Sequence, residues 1–128
     1  MEIHIKTIPH NSQRYETCGD YFYDDLGVLQ IRVSEMGDEK YETLVAIHEL
    51  IEERLTKWKG ITEQQILDYD LYYEKRRQQG LVPADSEPGF SEGAPYKAEH
   101  TFATSIEMMM CAYAGISWPE YDRTVMEL

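Results

Sequence analysis

The stretch "VLQIRVSEMGDEKYETLVAIHELIEERL", Val28 to Leu55, changes its hydrophobic period halfway along, and that change decides the class of fold. Before Gly37, the residues Leu29, Ile31 and Val33 alternate with polar neighbours, the two-residue repeat of a strand with one buried face. After it, Leu44, Ile47, Ile51, Leu55 and Trp58 recur at three- and four-residue spacing and form one stripe on a helix. Asp38 is a suitable N-cap and Gly60 a suitable stop, which predicts a helix over about Glu39 to Lys59. His48, Glu49, Glu52 and Glu53 interrupt the apolar pattern, with His48 and Glu52 together on the edge of the stripe.

Towards the N-terminus, "YFYDDLG" supplies a strand at Tyr21 to Tyr23 and a turn at Asp24 to Gly27, so this segment and Val28 to Val33 read as a hairpin. "EIHIKTI" alternates Ile3 and Ile5 with polar residues, and Pro9 ends it. Three consecutive strands predict a small antiparallel sheet in residues 1–36. The polar segment between the first two is a loop, where Arg14 is either a ligand contact or a surface ion pair.

Towards the C-terminus, residues 38–128 read as helical. Thr62 and Gln65 form a capping box for a second helix running to Gly80. Residues 80–95, with three prolines and three glycines, cannot sustain a helix and predict a lid or wall that the core does not need. A third helix is expected from about Tyr96 to Ala114, with Pro95 at its start and Gly115 after it, and a short fourth follows Ser117 or Trp118. The 128 residues therefore predict a single α+β domain, with a small antiparallel N-terminal sheet packed on three main helices.

The chain carries 24 acidic and 12 basic residues, for a net charge of −12. Such a surface repels phosphate backbones and anionic lipids, so neither duplex nucleic acid nor membrane is an expected partner. No window approaches the roughly 18 apolar residues of a membrane span, and "MEIHIKTIPH" has no secretory pattern, so the expected location is the cytoplasm. Cys18 and Cys111 lack the spacing of a redox pair or zinc ribbon and are expected to be reduced thiols. Phosphate-cradling glycine loops and a G-x-S-x-G nucleophile are absent.

The chemistry gathers on two helices. His48 and Glu52, one turn apart, can bind one cation through an imidazole nitrogen and a carboxylate oxygen. Glu49, one step further round, is placed to act as general base on a water that the ion polarises. The third helix has a stripe of Phe102, Ile106, Met109, Met110 and Tyr113, with His100 and Glu107 on its edge and Glu99 near its centre. If the two edges face one another, His48, Glu52 and His100 form a metal site, with Glu99 or Glu107 as a further or supporting ligand. The competing reading is a His–Glu hydrogen bond on each helix, with Glu99 paired to Arg54. Cys111, on the same side as His100, is a spare ligand candidate.

"AIHELIEERL", following the strand "LQIRVSEMG", resembles the active-site helix of zincin metallohydrolases, whose H-E-x-x-H supplies two ligands and a base. The resemblance implies that His48 is a ligand and Glu49 the base; Glu52 stands where the second histidine belongs. More widely, "IHIKTIPH", "QRY", "GD", "HELIE", "EPG" and "APY..EH" resemble small uncharacterised proteins of bacteriophages and prophages, which implies a viral origin and the host cytosol as the place of action. The expected function is a small metal-dependent hydrolase with a divalent ion, zinc first among the first-row metals. The zincin resemblance implies a peptide as substrate, and the phage resemblance a phosphodiester or another small signal. The alternative is a non-enzymatic phage protein that binds or inhibits a host factor such as a defence protein. Oligomeric state is left open.

Overall fold

The computed structural model describes residues 1–128. Three strands, β1 (Ile3–Ile8), β2 (Gly19–Tyr23) and β3 (Leu29–Ser34), precede four helices, α1 (Glu39–Trp58), α2 (Glu63–Gln78), α3 (Lys97–Ala114) and α4 (Trp118–Met126). The α+β class and the N-terminal sheet are as the sequence predicts. No helix is long and apolar enough to cross a membrane.

The helix boundaries follow local chemistry. The Asp38 carboxylate accepts from the Lys40 amide at 2.9 Å, and Thr62 and Gln65 form the reciprocal capping box. Gly115, at φ +69°, closes α3 in the left-handed region that a side chain would disfavour. Ser117 then caps α4.

The sheet departs from the expected all-antiparallel arrangement. Its order is β1-β3-β2; β2 and β3 form the antiparallel hairpin, but β1 pairs with β3 in parallel. The cause lies in the segment between β1 and β2, which crosses the end of β3 and returns on its far side. Ser34, fully buried at that end, bonds His10 Nδ1 at 2.8 Å and the Gln13 side chain at 3.1 Å. Gln13 also donates to the carbonyls of Cys18 and Arg32. A polar loop, unremarkable in sequence, thus acts as the clamp that sets strand order. The edge strand β1 is consequently open, and Ile5 is exposed rather than half-buried.

Leu29, Ile31 and Val33 of β3 enter the core with Leu44 and Val45 of α1. The rest of α1 is turned differently from its apolar stripe: His48, Glu52, Glu53 and Thr56 are buried, Ile47, Ile51 and Leu55 are half-buried, and Trp58 is exposed. The same inversion holds in α3, which buries Glu99, Ala103, Glu107 and Cys111 while exposing Phe102, Met109 and Tyr113. An apolar stripe marks a face that sheds water without specifying what covers it. Here the polar edges turn inward because their groups satisfy one another.

Residues 80–95 form a wall, correcting the expectation of a segment that the core can spare. The Tyr73 and Tyr69 hydroxyls donate to Ser86 and Ser91 at 2.7 and 2.6 Å. Gly89 and Ala94 are buried.

Candidate metal centre

α1 and α3 lie antiparallel: Lys59 meets Glu99 at one end of the pair, and His48 meets Glu107 further along. This packing brings two inward-turned polar edges together beneath β2. His48 Nε2 lies 3.1 Å from Glu52 Oε2 and 3.1 Å from His100 Nδ1, and His100 Nδ1 is 2.8 Å from Glu52 Oε2. These three are a group of side chains able to hold a metal ion. A tetrahedral ion with bonds of about 2.0–2.1 Å holds its ligand atoms about 3.3 Å apart. The triangle is therefore slightly tighter than an ion requires.

Hydrogen bonds to Glu107 and Tyr21 aim lone pairs of His48 and Glu52 at one point. His48 Nδ1 faces Glu107, whose other oxygen accepts from the Tyr121 hydroxyl at 2.5 Å. An ionised carboxylate only accepts, so Nδ1 carries the proton and a neutral His48 presents a lone pair at Nε2. Glu52 Oε2 presents lone pairs to the same point, while its Oε1 accepts from Tyr21 at 3.1 Å. A single proton on His100 Nδ1 would have to serve both neighbours. On the far side of that ring, Nε2 is buried without a hydrogen bond, and Glu87 Oε2 is 3.5 Å away.

The electrostatics follow from this crowding. Burial pulls His48 and His100 down, but the surrounding carboxylates outweigh it, leaving His48 well above its ordinary range and His100 at about 9. Burial works against ionised Glu52, yet both histidines hold its carboxyl down at about 2.

Glu49 is half-buried beside this group, and burial together with the Glu52 charge holds its carboxyl well above the ordinary range. It lines a cavity of about 660 Å³ shared with His48, Glu52 and His100. Gly19 lies directly over it: a Cβ there would stand 2.6 Å from Glu49 Oε1. That glycine lets β2 approach the helix at the height of the site.

The structure brings His48, Glu52 and His100 together and places Glu107 behind His48 as an orienting partner. Glu99 stands apart from the triangle, buried in a 2.7 Å ion pair with Lys59. Arg54 instead joins Glu53 and Tyr23, so the Arg54–Glu99 pair of the competing reading does not form. Arg14 lines the cavity wall with its guanidinium on Asp20, at 2.6 and 2.9 Å. Cys111 is buried in the core cluster.

Several participants carried no local sequence pattern. Tyr21 and Tyr121 fix the carboxylates, and Phe90 packs edge-on to His100 with ring centroids 4.5 Å apart. Asp70, from α2, accepts from Tyr15 at 3.1 Å and also from Tyr96. Gly89 supports His100 so closely that a Cβ would fall 2.3 Å from its ring. The proline- and glycine-rich run of residues 80–95 is the trace of this wall in the sequence, without marking which of its residues meet His100. No family model, curated protein or solved structure matches the chain, so the functional reading rests on the geometry of the site.

Proposed function

We propose that this chain is a small metal-dependent hydrolase, with a divalent first-row ion, zinc foremost, held by His48, Glu52 and His100. The observation that carries this reading is the convergence of three potential lone-pair donors from two helices on one point, with the other polar atoms of His48 and Glu52 already engaged by Glu107 and Tyr21. Two imidazoles and one carboxylate are a donor set suited to zinc with an open position. When bound, the ion supplies Lewis acidity towards water and towards the bond to be cleaved.

The chain's own residues have separable tasks. Glu107, held by Tyr121, keeps the His48 proton on Nδ1 and leaves Nε2 free to ligate. Glu49 makes no hydrogen bond to the protein, lines the cavity and is the general base. The Pro88–Phe90 turn limits water access on the His100 side. The substrate class proposed for this cavity is the one expected from the sequence, a peptide, a phosphodiester or another small signal.

Elemental analysis of untagged protein tests the reading. Close to one divalent ion per chain is expected, with loss in His48→Ala. Glu49→Gln should retain the ion while losing turnover on any peptide or phosphodiester that the wild type cleaves. Protein free of metal, with melting unchanged by added zinc or by a chelator, would overturn the proposal.

A further inference from the structure

Beyond Leu44, which enters the core, the apolar stripe of α1 turns away from the sheet and the cavity, as does that of α3. Because the two helices are antiparallel and turn their polar edges inward, these stripes lie side by side on one outer face. Tyr113 is 95 % exposed, Trp58 73 %, Met109 67 % and Phe102 52 %, and the half-buried Ile51 and Ile106 lie between them. Scattered apolar side chains are ordinary on a surface, but a continuous two-helix face is not.

We propose that this face is covered by a second copy of the chain, forming a twofold dimer in which the α1–α3 pair of one protomer packs on that of the other. The area agrees. At roughly 150–250 Å² for a large aromatic side chain, these residues supply on the order of 700 Å², close to the roughly 800 Å² per partner of a standard interface.

The net charge of −12 opposes contact between copies elsewhere on the surface, so the position of the carboxylates decides where two chains can meet. A molecule with a net charge of −12 can associate with itself only through a surface that its carboxylates leave clear. Glu52 and Glu53 reach towards tyrosines of β2, Glu49 and Glu107 line the cavity, and Glu99 is buried against Lys59. An antiparallel helix pair is also self-complementary about a twofold axis, and two such pairs make a four-helix layer. The metal ligands lie on the opposite edges of these same helices, so the dimer backs the site without entering it.

Sedimentation analysis of the wild-type chain from micromolar to millimolar concentration tests the proposal. A species of twice the chain mass is expected. Met109→Glu and Tyr113→Glu, which place carboxylates on the exposed face, should sediment as single chains. Met109→Ala, which adds no charge, should weaken association at least tenfold, and this milder variant decides the matter if a charged one fails to fold. A wild-type chain that remains a monomer at millimolar concentration overturns the proposal. So does a dimer whose dissociation constant is unchanged by Met109→Ala, because its interface then lies elsewhere.

Discussion

The His48 imidazole is hydrogen-bonded through Nδ1 to Glu107, 59 residues further along the chain, and this contact fixes the ring with Nε2 towards Glu52 and His100. Removing it should weaken metal binding without abolishing it. Glu107→Ala is expected to lose about 10–100-fold in zinc affinity, the usual scale for a partner behind a ligand. Glu52→Ala should lose the ion altogether. Competition titration against a chromophoric chelator measures both, and equal losses in the two variants would make Glu107 a ligand itself.

Metal uptake should release protons. Carboxylates hold His48 well above its ordinary range and His100 at about 9, so near neutrality an entering ion displaces protons from imidazolium. Affinity should rise with pH up to about 9, by about tenfold per unit for each proton displaced. Without an ion, the raised histidines contribute stability that is complete below their unfolded value of about 6.5 and lost as pH rises towards about 9. The stabilisation conferred by zinc should therefore grow across the same interval. Calorimetry in buffers of different ionisation enthalpy counts the protons, and a buffer-independent heat would contradict this account.

Asp70 offers a pH effect away from the ligands. Burial raises its carboxyl to about 6 against the hydrogen bonds from Tyr96 and Tyr15, which pull it down. An unfolded aspartate ionises near 3.9, so the native chain holds an extra proton between about 4 and 6. This group's contribution to stability is complete below about 4 and is lost as pH rises through about 6, with a ceiling of roughly 3 kcal/mol. Asp70→Asn should remove that dependence. Relative to wild type, its melting temperature should rise between pH 4 and 7, and a constant difference would count against the shift.

Two glycines should behave as site residues although neither has a side chain. In Gly89→Ala the new methyl would meet the His100 ring at 2.3 Å, and in Gly19→Ala it would meet Glu49 Oε1 at 2.6 Å. Each should cost roughly 1–3 kcal/mol through overpacking. On the proposed function the outcomes should differ: Gly89→Ala, which displaces His100, should lose zinc affinity, whereas Gly19→Ala, which displaces Glu49, should lose turnover with the ion retained. Identical effects on zinc binding would remove the distinction.

Replacing Asp85 to Glu92 with a Gly/Ser linker should lower the melting temperature substantially. The replacement would remove Gly89 and Phe90 from His100, and Ser86 and Ser91 from Tyr73 and Tyr69. A thermal scan showing no change would return this segment to the status of a detachable loop.

The sequence by itself determined the elements whose causes are local. The switch of period between Val33 and Leu44, the Asp38 and Thr62 caps and the Gly60 and Gly115 stops lie within a few residues of what they control. His48 and Glu52 were equally legible, because one helical turn brings i and i+4 together whatever the rest of the chain does. Tertiary structure decided the remainder. Parallel pairing of β1 with β3 depends on Gln13 and His10 clamping Ser34 across a loop, an outcome that strand alternation does not encode. The selection of Glu107 as the partner of His48, and of Lys59 as that of Glu99, depends on the antiparallel register of two helices separated by residues 59–96. Periodicity also named the wrong inner face for both helices: it records which side chains avoid water, whereas the direction a helix turns is settled by which buried polar groups can find partners.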